Sequence, residues 1–391
     1  MTNHRVTFMV WTVFLFVAGA SQFTLADEDS ETKNGFEFTV VTQLDASSVK
    51  NQANTATCWS FATNSFLESE LLRMGKGKFD LSEMFVVRHI YPKKSLNYVQ
   101  QHGQTTFGPG SLAGDLLRTL AEYGAVPESV YDGRFIGHSK HNHQEMDAVL
   151  TAMLDAVIAN KGKRLSPAWR EAVEGVLDAY IGQLPTSFEY EGKIYTPKTF
   201  AESLGIEPSD YVELTSFTHH PFNSTFALEI PDNWAHNQYH NVSLNQLMEA
   251  LDNALEKGYT VAWDGDVSEK EFNKKEGIAI LPLIDWDDKT EDEQKETGKK
   301  LEPEKEVSPE LRQEYFENYA TTDDHLMHII GVATDQNGNR YYITKNSWGT
   351  KDRGHDGYIY MSEAYVRAKT ISILLHRDGL PKTLSTGLAK Q

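Results

Sequence analysis

The chain has 391 residues, and its 37 basic and 56 acidic residues give a net charge of −19 with histidine neutral. Hydrophobic residues make up 40% of the chain and aromatic residues 11%, which is enough for a large core and excludes disordered and low-complexity classes. The acidic balance argues against a nucleic-acid partner, and a single cysteine excludes an intramolecular disulfide and a Cys-rich zinc site.

The first 26 residues have the layout of a secretory signal peptide. His4 and Arg5 precede the apolar run 6–18, and small residues place cleavage after Ala20 or Ala26. The run is shorter than the roughly 20 residues that a membrane-spanning helix needs. We therefore expect a secreted or periplasmic protein without stable membrane insertion. In an oxidising compartment its lone thiol would be open to oxidation, so activity should rise with added reductant.

Apolar residues at spacings of three and four predict a helix that begins at Cys58 and ends before Gly75. The same periodicity, with glycine at several helix ends, predicts four more helices, at residues 112–123, 144–159, 167–181 and 244–257.

Strand patterns dominate the last third of the chain, after an isolated early strand at residues 36–41. They lie at residues 259–263, 327–334, 340–344, 357–361 and 371–375, with a turn at 336–338. A helix-rich first part followed by a strand-rich last part predicts an α+β fold with two lobes. The nearly all-polar segment 285–310 is typical of a solvated surface insertion.

Cys58 stands where the first helical pattern begins, a position that favours a thiolate. Catalysis by a thiol needs an imidazole to carry a proton, a group that orients the ring, and donors for an oxyanion. Gln52, six positions before Cys58, could supply an amide donor. The turn at 336–338 would place His328 beside Asn346, whose oxygen can accept the ring N–H.

Two other groups of histidines compete with this arrangement. His325 is the rival base, but it precedes the strand pattern and would lie on a loop, which favours His328. His138, His141 and His143 have spacings that could bind a metal, although a solvated loop explains them as well. We therefore expect no metal and no cofactor.

The blocks QANTATCWSFA and KNSWG, with a histidine between them, resemble the papain-like cysteine peptidases. Within that family, residues 239–243 and 261–267 are most similar to the bleomycin hydrolase and aminopeptidase C branch. The resemblance implies a papain-like two-lobe fold, with a helical lobe that carries the nucleophile and a β-rich lobe that carries His and Asn. It implies these roles: Cys58 as nucleophile, His328 as general base and acid, Asn346 as orienting group and Gln52 as oxyanion donor.

The resemblance extends to substrate-binding positions. Trp348 would cover the bond between Asn346 and His328, and Gly110 and Ser111 stand where the family has two substrate-binding glycines. The implied partners are a peptide or protein substrate and further copies of the chain in a homo-oligomer.

The implied organisation is a single catalytic domain at 27–391. Its parts are a nucleophile-helix lobe at 45–133, a helical insertion at 134–250, a β-rich lobe at 251–376 that contains the acidic insertion 285–310, and a C-terminal tail at 377–391.

These features together predict a secreted cysteine peptidase that forms a thioester acyl-enzyme at Cys58. Two departures leave alternatives open. Ser111 replaces the second glycine, and the tail from Gly379 onward does not match the tail that lies in the cleft of that branch. Aminopeptidase and endopeptidase activity therefore both remain, as do hydrolysis of other amides and a catalytically degenerate peptide-binding protein on the same scaffold.

Overall fold

The structure, a computed structural model, describes residues 1–2, 35–134, 137–162 and 164–387. From Gly35 onward these residues belong to one compact unit. The predicted signal peptide lies almost entirely outside the described residues. The described helices are α1 (Cys58–Arg73), α2 (Glu83–Gln100), α3 (Ala113–Tyr123), α4 (Gln144–Ile158), α5 (Ala168–Ile181), α6 (Pro197–Leu204), α7 (Leu244–Glu256), α8 (Glu291–Glu296), α9 (Pro309–Glu317), α10 (Glu363–Lys369) and α11 (Lys382–Ser385). None of these helices is long and apolar enough to cross a bilayer.

The strands form one large mixed sheet and one small hairpin. They are β1 (Thr39–Gln43), β2 (Phe188–Tyr190), β3 (Lys193–Tyr195), β4 (Tyr211–Thr215), β5 (Ser224–Ala227), β6 (Gln238–Asn241), β7 (Val261–Gly265), β8 (Phe272–Asn273), β9 (Ile278–Ala279), β10 (His325–Thr334), β11 (Arg340–Lys345), β12 (Tyr358–Ser362) and β13 (Thr370–His376). The large sheet runs β5-β6-β4-β13-β7-β10-β11-β12-β9-β8, with β1 added to β10, while β2 and β3 pair with each other.

Strand β10 is the centre of the sheet and the element on which the site depends. Its first half pairs antiparallel with β7, so that His325 lies opposite Gly265, and its second half pairs with β1. Strand β11 pairs along its other edge. Because side chains alternate along a strand, residues 325, 327 and 329 face one side of the sheet and residues 326 and 328 face the other.

Helix α1 packs on the face of β10 that carries residue 328. Its Phe66 and Leu71 are fully buried in a hydrophobic core that also contains Leu326. Met327 and Ile329 point into a second core, which α7 covers. The helical and β-rich parts of the α+β fold thus meet along α1 and β10, as the two-lobe prediction requires.

The structure contains elements that the sequence patterns did not reveal. Helix α2 continues through Pro92, which lacks the N–H that would bond to the carbonyl of residue 88 and which interrupts a simple helical reading. The segment 134–250 is not wholly helical, because it also contributes β4, β5 and β6 to the large sheet. The acidic segment 285–310 is anchored rather than fully solvated, since Lys289 is buried and pairs with Glu302 at 2.7 Å.

Candidate active site

Cys58 is the first residue of α1 and follows a tightly folded loop. Ala53 and Ala56 both have positive φ values, of 50° and 51°, a conformation that costs a non-glycine residue about 1 kcal/mol or more. The buried hydroxyls of Thr55 and Thr57, 2.7 Å apart, hold this loop together. The loop thereby fixes the thiol at the amino end of α1, where the helix dipole favours negative charge.

The surroundings of the thiol counteract the effect of the helix dipole on the pKa of Cys58. Burial raises the pKa of Cys58 to about 12, against a hydrogen bond from the backbone of Leu326 that lowers it. The carboxylates of Asp232, Asp323 and Asp264 raise the pKa of Cys58 further. The side chain is only 9% exposed, so the thiol is buried in the structure, and the rise of activity with added reductant stays a prediction.

The residue that Asn346 orients is His325. The Nε2 atom of His325 lies 2.9 Å from Oδ1 of Asn346, and both side chains are buried. The indole of Trp348 lies over the imidazole, with ring centroids 4.6 Å apart. An amide oxygen only accepts hydrogen bonds, so Nε2 carries the proton and Nδ1 keeps its lone pair. Burial lowers the pKa of His325 to about 4, so the ring is neutral near pH 7.

The expectation that Asn346 orients His328 is wrong. His328 points to the opposite face of β10, where its Nδ1 lies 2.8 Å from the hydroxyl of Ser65 on α1. The side chain of Lys345 donates to the same hydroxyl at 2.7 Å, and the His328 ring meets Phe66 edge-on. The sequence pattern predicts that the strand begins at residue 327, whereas pairing with β7 extends it back to His325. Residues three apart on a strand face opposite sides, which separates the two histidines.

Gln52 lies in this site and is held at both ends. Its backbone N–H donates to the carbonyl of Ser347 at 2.9 Å, and its side-chain oxygen accepts from the Ser347 hydroxyl at 2.6 Å. Because the side-chain oxygen of Gln52 already accepts a hydrogen bond, its side-chain NH2 group is the part that can donate to a substrate. The loop of Cys58 and the segment of Asn346 are thus joined through Gln52 and Ser347.

Gly110 and Ser111 lie beside the thiol loop, where Trp59 donates to the carbonyl of residue 109 at 2.9 Å. A side chain at position 110 would collide with the carboxylate of Asp232. The Ser111 hydroxyl is buried and accepts from the Trp234 indole at 2.9 Å, so it does not project as a substrate donor. Ser111 therefore ties residues 110–112 to the segment that carries Asp232 and Trp234.

The carboxyl group of Asp264 is the main feature of the site that sequence reasoning missed. Asp264 is buried on β7 opposite Leu326, and its pKa is raised well above the usual range by burial and by Asp323. Burial and Asp232 raise the pKa of Asp323 to about 7. One signal was visible in the sequence: an aspartate directly follows the apolar end of the predicted strand 259–263.

The histidine group at 138, 141 and 143 does not form a metal site in the described residues. His138 is exposed, but His143 is buried at the start of α4, and neither of its ring nitrogens has a hydrogen-bond partner. Burial lowers the pKa values of His141 and His143 to about 4. The expected solvated loop therefore fits only His138.

The described part of the C-terminal tail lies at the far end of α1 from Cys58. His376 stacks on Tyr259, and the guanidinium of Arg73, the last residue of α1, lies 4.2 Å from the Tyr259 ring. Lys257 donates to the carbonyl of Leu380 at 2.9 Å. A helix of 16 residues is about 24 Å long, so these contacts are remote from the thiol.

Comparison with known proteins identifies the family. The model of the peptidase C1-like family matches residues 186–391, which is more than half of the chain. Aminopeptidase C of Lactococcus lactis subsp. cremoris is 24% identical over 370 residues, which cover 84% of this chain and 80% of that protein. Aminopeptidase W of Lactobacillus delbrueckii subsp. lactis is 24% identical over 395 residues, which cover 89% of this chain and 85% of that protein.

The fold has a counterpart among solved structures. The crystal structure of PepW from Lactobacillus rhamnosis HN001 superposes with a TM-score of 0.70 at 20% sequence identity, and the match covers 89% of this chain and 84% of that one. The predicted papain-like α+β fold and the resemblance to the aminopeptidase C branch are thereby confirmed. The chain belongs to the peptidase C1-like family, and the protein is a cysteine-type peptidase.

Proposed function

We propose that the protein is a cysteine aminopeptidase whose nucleophile is Cys58 and whose general base and acid is His325. The observation that carries this proposal is the 2.9 Å contact of Asn346 with Nε2 of His325, one residue before Leu326, whose backbone hydrogen-bonds to the Cys58 thiol. His325 replaces His328 in this role. The relatives named as aminopeptidases do not favour a catalytically degenerate peptide-binding protein.

The proposed reaction begins with both catalytic groups neutral. His325 takes the thiol proton at Nδ1 as the sulfur of Cys58 attacks the peptide carbonyl, and it then gives the proton to the leaving amine. Water, deprotonated by the same nitrogen, hydrolyses the thioester. Asn346 holds the ring in the tautomer that these transfers require, and Trp348 shields the bond between them from water.

Stabilisation of the oxyanion would come from two donors. The first-turn N–H groups of a helix have no acceptor within the helix, which leaves the backbone N–H of Cys58 for the oxyanion. The side-chain amide of Gln52 supplies the second donor, because Ser347 occupies its oxygen. Loss of one such donor typically costs about 10²- to 10³-fold in kcat.

The acidic groups beside the thiol support an aminopeptidase rather than an endopeptidase. Asp264 lies opposite Leu326, whose backbone hydrogen-bonds to Cys58. The carboxylate of Asp232 lies against Gly110 beside the thiol loop, so these acidic groups are close to the scissile bond. The α-ammonium of a substrate with an unblocked amino terminus would neutralise them. Its positive charge would offset the carboxylates that raise the pKa of Cys58. A substrate with an unblocked amino terminus would therefore also lower this pKa and favour the thiolate.

The test compares two fluorogenic peptides that differ only in whether the amino terminus is unblocked or acetylated. We expect kcat/KM to be at least about tenfold higher for the unblocked peptide. A tenfold difference corresponds to one interaction of about 1.4 kcal/mol with the amino terminus. Asp232→Asn should reduce this preference, because Asp232 is the carboxylate that acts most strongly on Cys58, and Asp287→Asn, an exposed aspartate in the acidic segment, should not. Cys58→Ser should abolish turnover of both peptides.

Equal rates on the two peptides would refute the aminopeptidase assignment while leaving the thiol mechanism intact. Turnover that survives complete alkylation of Cys58 would refute the mechanism itself.

We also propose that the protein is exported and that its signal peptide is removed. The apolar run 6–18 and the small residues that follow it support this proposal. Sequencing of the amino terminus from the producing cell should give a chain that begins at Ser21 or Asp27. A chain that retains residues 1–20 would contradict it.

A further inference from the structure

Two adjacent histidines and one glutamate converge away from the catalytic residues. His219 and His220 lie in the connection between β4 and β5, and Glu229 lies two residues after β5. The Nε2 atom of His219 is 3.1 Å from one carboxylate oxygen of Glu229, and the Nε2 atom of His220 is 2.6 Å from the other. One ligand atom from each residue can be chosen so that all three lie within 4.8 Å of one another.

The backbone that carries the two histidines is fixed by a buried side chain. Asn241, at the end of β6, accepts from the N–H of Phe217 at 2.9 Å and donates to the carbonyls of Phe217 and His220, each at 2.9 Å. Asn241 is fully buried. The spacing of the two imidazoles is therefore set by the fold rather than by their contact with Glu229, and such preorganisation favours a ligand site.

The rings themselves are also held in place. His220 stacks on Phe226 with centroids 4.1 Å apart, and His219 stacks on Phe316 of α9 at 5.8 Å. Gln313, also on α9, lies against Nδ1 of His219, with its side-chain nitrogen at 3.0 Å and its oxygen at 3.3 Å. A histidine that binds a metal through Nε2 carries a proton on Nδ1, and the Gln313 oxygen is the atom within reach that can accept it.

We propose that His219, His220 and Glu229 form a transition-metal site, best matched to Zn²⁺, that ties the β4–β5 connection to the segment lining the active-site cleft. Two imidazoles and a carboxylate match the protein donor set of an open zinc site, in which water takes the fourth position. Ca²⁺ and Mg²⁺ prefer oxygen ligands, so they should bind poorly. The three side chains are 27%, 33% and 54% exposed, which allows a metal to enter from solvent.

The connection to the cleft runs through the chain that follows Glu229. Asp232 lies against Gly110, and Trp234 donates to Ser111, only three and five residues after the proposed ligand. The side chain of Asn233 bonds to the carbonyls of Leu228 and Asn237, so this segment is a compact turn. A metal on Glu229 would therefore restrain one wall of the cleft without touching the catalytic residues.

The test is calorimetric titration of the full chain with ZnCl2 in a Cys58→Ala background, which removes the thiol as a competing ligand. We expect saturable binding of one Zn²⁺ per chain and no binding of Mg²⁺. His220→Ala and Glu229→Gln should each weaken binding by at least about tenfold. The exposed His138→Ala is the matched control and should leave the affinity unchanged. Hydrogen exchange of residues 228–237 should slow when ZnCl2 is added.

Binding that is absent, or that both variants leave unchanged, would overturn the site. Glu229→Gln keeps the shape of an exposed side chain, so it answers the question even if His220→Ala does not fold. Zinc binding without slower exchange at residues 228–237 would overturn the connection to the cleft.

Discussion

The catalytic proposal depends on which of two histidines faces the thiol. His325 and His328 are both buried, but only His325 of the two contacts Asn346 and Trp348. His328 is held by Ser65 in a structural contact between α1 and β10. The same substitution at the two positions should therefore have different consequences.

We predict that His325→Asn lowers kcat by roughly 10³-fold or more, because no other imidazole lies beside Asn346. His328→Asn should change kcat little but lower the free energy of unfolding by about 1 to 3 kcal/mol, through loss of the Ser65 contact and of packing against Phe66. Steady-state kinetics and thermal denaturation of both variants check this. A large loss of kcat in folded His328→Asn with an active His325→Asn would restore the original assignment.

The raised pKa of Cys58 gives a second prediction at this scale. With a pKa near 12, the thiolate fraction of the substrate-free protein should rise about tenfold per pH unit between pH 7 and 9. The alkylation rate with iodoacetamide should follow it. Asp323→Asn should be alkylated faster than the parent at pH 8, because one of the charges that opposes the thiolate is gone. An alkylation rate that is constant above pH 7 would show a thiol with a low pKa instead.

At the scale of elements, α1 and α2 are joined through a buried charge network. Lys50, in the loop before Cys58, lies 2.6 Å from Glu83 on α2 and 3.5 Å from Glu68 on α1. The two glutamates are 3% and 1% exposed. The backbone carbonyl of Lys50 also accepts from Gly349, next to Trp348. One cation thus joins the two helices to the loop that carries the site.

We predict that Lys50→Met lowers the free energy of unfolding by about 3 kcal/mol, because it leaves buried carboxylates without their cation. Lys78→Met, an exposed lysine between the same two helices, is the matched control and should have little effect. Chemical denaturation measures both. Adding Glu83→Gln to Lys50→Met should recover part of the loss, and a double variant that is less stable still would contradict the charge argument.

At the scale of the whole molecule, burial of acidic groups makes stability depend on pH. Burial raises the pKa of Glu213 to about 7, against about 4.3 for an unfolded chain. The folded protein therefore binds more protons than the unfolded chain between these values. Stability from this group is present at low pH and is lost as the pH rises through 7.

We predict that Glu213→Gln, which mimics the protonated side chain, becomes more stable than the parent as the pH is raised from 5 to 8. The difference should reach about 2 kcal/mol, and denaturant unfolding at several pH values measures it. Glu249→Gln, on the exposed face of α7, should show no such pH-dependent difference. A constant difference between parent and Glu213→Gln across this range would contradict the raised pKa.

The homo-oligomer stays a prediction, which the mass of the protein in solution can test. The described tail packs near Arg73, so an aminopeptidase of this form would rely on the acidic groups around Asp264 rather than on the described tail for recognition of an amino terminus.

The sequence by itself determined the family and the elements that begin and end at local signals, and it singled out Cys58 as the candidate nucleophile. The helix that begins at Cys58 and the helix predicted at residues 244–257 follow from local patterns, and α1 and α7 appear at these positions. Helix α2 was not predicted from the sequence, because Pro92 breaks the local helical pattern. In the structure, packing against α1 maintains the helix.

Only the tertiary structure decided which histidine contacts Asn346. That choice depends on where β10 begins, and its first residue is fixed by pairing with Gly265, which is 60 positions away in the chain. Tertiary structure also brings the acidic groups together around the thiol. It likewise brings His219 and His220 to Glu229. Side chains that are remote in sequence meet only when the sheet and helices bring them together, and burial then sets their charge.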